Sequence, residues 1–208
     1  NALLKGDVEK ARTAFEGIRY QLDTVGPGDR GYWFAHDRSG VHAMVIVNRQ
    51  PTRDLVLEVP HPVVDRATDR QGLALLAAVG ARALLVAGAH RCAAVEYSPC
   101  SGKTRICGVR EAYRVSDVAH ALDNTFQQAH RYLATRWPRA VFVQLHGFSN
   151  GGSPVRFLLS DGTTGAHDRP ESPAHRMRAR LRDVLGSPRV AASCQHPDDR
   201  DFETRWLC

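Results

Sequence analysis

Hydrophobic positions along the chain fall into short runs separated by turn residues, and the period of each run predicts its element. Val41 to Val47 (VHAMVIV) and Leu55 to Val59 (LVLEV) are β-branched stretches bounded by Asn48, Pro51 and Pro60, and read as strands. Thr68 or Asp69 caps a helix that runs to about Val79 and stops at Gly80, and Ala83 to Ala87 (ALLVA) is a buried strand ended by Gly88. These segments make one strand, helix, strand unit with short connections.

The next segment, Ala89 to Val115, is long enough to be functional or stapled rather than a plain connector. Ser116 then caps a helix with Val118, Leu122, Phe126, Ala129 and Leu133 on one stripe, stopping near Trp137-Pro138. Ala140 to Leu145 (AVFVQL) and Val155 to Leu159 (VRFLL) are further strands. A last helix runs from about Ala174 to Leu185, opened by Ser172-Pro173 and closed by Gly186, ahead of a short strand from Val190 to Ser193.

Strands alternating with helices predict a single α/β domain with a mostly parallel, doubly wound sheet and helices on both faces. The first forty residues hold an amphipathic stretch from Val8 to Ile18 and a Gly-Pro-Gly turn at 26–28, and read as an appendage packed on a domain spanning 41–208. The sequence stops in apolar residues at Trp206-Leu207-Cys208, as a fold would whose next strand lies beyond it.

Composition excludes several classes. With 208 residues, 43% hydrophobic and 24% charged, the chain has the make-up of a folded globular protein and not of a disordered one. The longest apolar run, Leu73 to Ala81, is far too short to span a bilayer. The net charge of +6 comes from 25 Arg and 3 Lys scattered among acids, and only 7% of residues are aromatic, which argues against a nucleic-acid partner. Cys92, Cys100 and Cys107 cluster in the long loop at intervals that fit no CxxC zinc or redox motif, leaving a disulfide staple or free thiols. A staple points to an extracytoplasmic or secreted location.

The most informative pattern is positional. His61 follows the strand at 55–59, His90 the strand at 83–87 and His146 the strand at 140–145. In an open parallel sheet the carboxyl ends of the strands line the edge where ligands bind, so three imidazoles converge there. Pro60 and Pro62 hold His61 in a rigid, extended backbone, Asp65 follows four residues on, and Gly147 permits a tight turn after His146. Two His and a carboxylate with an open fourth position are a usual catalytic zinc set, so His61, Asp65 and His146 are the candidate metal ligands. His90 and Arg91 offer a further imidazole and a guanidinium suited to a substrate carboxylate or oxyanion. On the long helix, at about 100° per residue, His130 lies roughly 80° from the apolar stripe and can reach a site edge, whereas His120, about 160° away, is expected in solvent.

Two mimics carry no weight. Ser101-Gly102-Lys103-Thr104 resembles the end of a P-loop, but Tyr97 stands where its first Gly is required. Leu145-His146-Gly147-Phe148 looks like the oxyanion turn of a serine α/β-hydrolase, yet no G-x-S-x-G elbow occurs in the chain.

The order Val59-Pro60-His61-Pro62, then a helix, then ARALLVAGAHR (Ala81 to Arg91), a helix carrying His130 and FVQLHG (Phe142 to Gly147) resembles the N-formylglutamate amidohydrolases and the wider zinc-carboxypeptidase-like superfamily. The likeness covers roughly residues 53 to 150. It implies an α/β domain with a mixed sheet, one catalytic Zn2+ and hydrolysis of an amide or peptide bond next to a carboxylate, in a small peptide or N-acyl amino acid. By position, His61 matches the His of the family's V-P-H turn, His146 the His that ends its strand, Arg91 a substrate-contacting Arg and His130 a His of the following helix. Carboxypeptidases place a Glu three residues after the first His, where this chain has Val64, so Asp65 is a substitute on chemical grounds. For the family's general-base Glu on a late strand, Glu203 is the one residue that offers itself. The reading from another class is a non-catalytic or degenerate α/β domain that binds an acidic ligand through Arg91.

Overall fold

The computed structural model describes residues 2–27, 30–148, 156–161, 170–186 and 190–192. The chain divides into two compact units, Asn1–Gly147 and Phe148–Cys208. The first holds α1 (Val8–Glu16), β1 (Tyr20–Val25), β2 (Tyr32–Asp37), β3 (Met44–Asn48), β4 (Leu55–Val59), α2 (Thr68–Val79) and β5 (Ala83–Val86). It continues with the short strands β6 (Lys103–Thr104) and β7 (Glu111–Ala112), then α3 (Thr125–Arg136) and β8 (Val141–Gln144). The second unit holds β9 (Phe157–Leu159), α4 (Pro173–Leu185) and β10 (Val190–Ala192).

Six strands form one mixed sheet in the order β1-β2-β3-β5-β4-β8. Only β5, β4 and β8 run parallel, and β1, β2 and β3 add antiparallel ladders, so the sheet is mixed, as expected, but not mostly parallel. The first forty residues supply α1 and the strands β1 and β2 of this same sheet, where sequence reading expected an appendage. The turn at Gly26-Pro27 separates two strands whose apolar and polar residues alternate too weakly to stand out, and Trp33 and Phe34 are neighbours that face opposite sides.

Alternation along β4 explains how the sheet is covered. Val56 packs with Ala83, Leu85, Phe126 and Leu133 beneath α3, and Leu57 and Val59 pack with Leu76, Leu84 and Val86 beneath α2. Helices therefore lie on both faces, as expected. Gly72 of α2 is needed for the close approach, because a Cβ there would lie 3.0 Å from methyl carbons of both Leu84 and Val59. The parallel register sets Glu58 of β4 opposite Gln144 of β8, and Leu57 opposite Leu84 of β5. The carboxyl ends of β4, β5 and β8 accordingly share one edge.

The long helix differs most from expectation. It begins at Thr125, not at Ser116, and its cap is Asn124, whose side chain accepts from the Gln127 N–H at 2.9 Å. The preceding residues form turns tied back to the loop: the Ser116 hydroxyl donates to the Arg91 carbonyl, and the Gln127 side chain donates to the Val118 carbonyl. Backbone bonds from Ser98 to Tyr113 and from Val115 to Glu96, together with a Cys92–Cys107 disulfide, close the segment between β5 and α3 on itself. The staple foreseen in this loop is therefore present. In the second unit, Ser172 caps α4 and Gly186 ends it in a left-handed turn, as expected, and β9 and β10 pair in parallel. No helix among the described residues is long and apolar enough to cross a membrane.

Candidate metal centre

The turn after β4 builds the first part of the site. Between Pro60 and Pro62, His61 is buried, and its carbonyl accepts from the N–H groups of Val64 and Asp65 at 3.1 and 2.8 Å. That turn folds the Asp65 carboxylate back onto the His61 ring, with Nδ1 3.5 Å from Oδ2. The Thr68 hydroxyl donates to the Asp65 carbonyl at 2.7 Å and fastens the turn to the start of α2. From the end of β8, His146 brings Nδ1 to 3.3 Å from the same Asp65 oxygen, and its ring centroid lies 5.1 Å from that of His61.

His61 Nδ1 and Asp65 Oδ2 are buried and, among the described residues, have no partner at hydrogen-bond distance and angle. Buried polar atoms without a hydrogen-bond partner call for an explanation, and a cation held between them is one. Two donors about 2.1 Å from a tetrahedral zinc ion sit about 3.4 Å apart. The separations of 3.5 and 3.3 Å from Asp65 to the two imidazoles match that edge. The side chains of His61, Asp65 and His146 can thus hold a metal ion.

Behind His61 stands a residue that sequence reading missed. Asp117 is fully buried, and its Oδ1 accepts from His61 Nε2 at 2.7 Å and from His120 Nδ1 at 3.1 Å. Its Oδ2 accepts from Arg91 Nε and Nη2 at 2.9 and 2.6 Å. Burial alone would raise the Asp117 carboxyl, but bonds from His120 and His61 and the nearby Arg91 charge outweigh it and hold the group well below the usual carboxylate range. An ionised carboxylate can only accept, so His61 carries a proton on Nε2 and turns Nδ1 toward Asp65 and His146. A carboxylate behind a histidine ligand is the usual outer support of a metal site.

His61, Asp117 and His120 form a second group with metal-ligand spacing. Arg91 already neutralises Asp117 there, so this group is an outer shell and the Asp65 side of His61 is the side suited to a cation. Asp65 behaves as such a donor. Burial pushes its carboxyl up, while the imidazoles of His146 and His61 beside it and a backbone N–H from Gly147 carry it well below the ordinary range. Burial also lowers His146, against the opposing pull of Asp65.

The other expected residues fall elsewhere. His90 is exposed, and its Nδ1 accepts from the Cys92 N–H instead of turning toward the centre. Arg91 is buried and bound to Asp117, which makes it a support of His61. His130 reaches the sheet but meets Glu58, with Nδ1 2.6 Å from Oε1, and not His61, Asp65 or His146. His120, expected in solvent, is 2% exposed and stacked on Tyr113 at 3.7 Å, because the helix that would have turned it outward starts five residues later. Glu203 lies outside the described residues.

The missed residues left faint signals. Glu58 is an acid in the middle of an otherwise apolar strand run, which demands a buried partner. Asp117 passed as an ordinary acid in the first turn of a helix. No family model matches the chain, and no curated protein or solved structure is found to be similar to it.

Proposed function

We propose that this protein is a zinc-dependent hydrolase that cleaves an amide or peptide bond next to a carboxylate, as a carboxypeptidase or an N-acyl amino acid amidohydrolase does. The observation that carries this reading is the meeting of His61 Nδ1, Asp65 Oδ2 and His146 Nδ1 at one sheet edge, with the His61 ring held from behind by Asp117 at Nε2. Two imidazoles and one carboxylate are borderline N and O donors that suit zinc better than the all-oxygen cations. A bound zinc ion supplies Lewis acidity and an acidified water at neutral pH.

The chain's own residues do the rest. His61, Asp65 and His146 hold the cation, Asp117 fixes the His61 ring, and Arg91 keeps Asp117 ionised and in place. The reading of the chain as a non-catalytic binder of acidic ligands loses support, because the Arg91 donors it would use face Asp117. The Cys92–Cys107 disulfide supports action outside the cytoplasm.

The test is metal analysis of the purified chain, followed by hydrolysis assays on acidic dipeptides and N-acyl amino acids. Expected are one zinc per chain, its loss in the His61→Ala, His146→Ala double variant, and an amidase activity abolished by chelator and restored by Zn2+. Folded protein that takes up no zinc would overturn the reading.

A further inference from the structure

Away from the three ligands, the stapled segment after β5 carries an exposed hairpin. Strands β6 and β7 pair antiparallel, Lys103 with Ala112 and Thr104 with Glu111, and the residues from Arg105 to Arg110 form its tip. A single exposed aliphatic side chain is ordinary on a protein surface. Here Val109 is 93% exposed and Ile106 55%, in a tip where turn chemistry favours small or polar residues. Lys103, Arg105 and Arg110 are exposed beside them, and the stretch 103–110 holds no acid. The next residue, Glu111, is paired with Arg114 at 2.5 Å, so it does not cancel these charges. We propose that this tip docks the protein on an anionic membrane surface, with Ile106 and Val109 entering the headgroup boundary and Lys103, Arg105 and Arg110 meeting anionic headgroups.

The tip is shaped before any contact. Cys107 lies within it and is bonded to Cys92, and the Ile106 N–H donates to the Thr104 hydroxyl at 3.1 Å. Little conformational freedom is therefore left to lose on docking. Arg110 has a φ of 57°, a left-handed conformation that disfavours most residues with a Cβ, and what an arginine adds there is an exposed charge. Other partners fit these features less well. A stable protein interface takes about 800 Å² from each side, more than one hairpin tip presents. Nucleic-acid phosphates would satisfy the cations but leave Ile106 and Val109 in water. The boundary of a bilayer accepts both, because a few apolar side chains enter the acyl edge while cations stay at the level of the headgroups.

Cosedimentation of the full chain with phosphatidylcholine vesicles, with and without phosphatidylserine, tests this. Binding is expected on the anionic vesicles and is expected to be at least about tenfold weaker on neutral ones or at high salt. Ile106→Ser, Val109→Ser keeps every charge of the chain, and is expected to bind the anionic vesicles about tenfold or more weakly. Arg105→Gln, Arg110→Asn is expected to weaken binding to a similar extent, with Asn tolerating the left-handed position. All four sites are exposed, and thermal melts check that the variants keep the fold. The fluorescence added by Val109→Trp is expected to shift to the blue on anionic vesicles, as a side chain leaving water does. Failure to bind anionic vesicles, or equal binding to neutral ones, overturns the proposal. So does full binding by Ile106→Ser, Val109→Ser, which would mark a general attraction of a basic chain, or an unshifted Val109→Trp emission.

Discussion

Arg91 and Asp117, 26 residues apart, form a buried two-pronged ion pair in which Nε and Nη2 both reach Oδ2. The pair joins the end of the loop after β5 to the turns before α3, and Asp117 passes that anchorage on to His61 through its other oxygen. Removing one member leaves a charge buried without its partner, which costs about 3–5 kcal/mol. Asp117→Ala is therefore expected to lower stability by that amount in urea unfolding. The Arg91→Met, Asp117→Ala double variant is expected to recover only part of the loss, because no lone guanidinium remains while the buried His61 and His120 donors still lack their acceptor. A single-variant loss below about 1 kcal/mol would show that the guanidinium is not dependent on Asp117.

This pair also marks where sequence reading stops. The strand ends carrying His61 and His146 were legible because Pro60, Pro62 and Gly147 punctuate apolar runs, and a strand end places a side chain at the sheet edge whatever the partner. Asp117 and His120 were not, because S-D-V-A-H followed by an apolar stripe has the period of a capped helix. The structure favours turns there, since tertiary bonds to Arg91 and Ser98 outweigh the helical preference of a few residues. Strands β1 and β2 escaped notice because their apolar and polar alternation is weak, although each pairs with its neighbour in sequence. Glu58 and Gln144 become a pair only through the β4–β8 register, which no single segment encodes.

His130 makes stability depend on pH in a defined direction. The hydrogen bond to Glu58 raises its imidazole above the ordinary 6.5, with burial and the neighbouring Arg131 opposing. A group whose folded value is raised contributes fully below its unfolded value, and that contribution is lost as pH rises through the folded value. The urea midpoint of wild type relative to His130→Phe is therefore expected to be highest below pH 6.5 and to fall through the neutral range and above. A difference that is flat with pH would show that Glu58 does not distinguish the two forms of the ring.

The Cys92–Cys107 staple closes 15 residues of chain next to Arg91. Loop-closure entropy for that length gives about 3 kcal/mol. Cys92→Ser, Cys107→Ser is expected to lose about 2–4 kcal/mol in denaturant unfolding, with the earliest gain in amide exchange between residues 92 and 115. Uniform exchange across the unit would mean that the loop is held by its backbone ladders and not by the disulfide.

Gly147 tests how closely the two strand ends must approach. A Cβ at this position would lie 3.1 Å from the Asp65 Cα and 3.2 Å from its Cβ, and the first of these contacts is backbone that cannot swing aside. The Gly147 N–H also helps to hold the Asp65 carboxylate. Gly147→Ala pushes the two segments apart, lengthening the 3.3 Å approach of Asp65 to His146 while leaving both cores untouched. Zinc affinity is therefore expected to drop about tenfold or more, as for lost outer support of a ligand, with the melting temperature of the metal-free protein nearly unchanged. Equal affinity in variant and wild type would show that Asp65 can shift and still meet both imidazoles, and that a glycine is not required at this crossing.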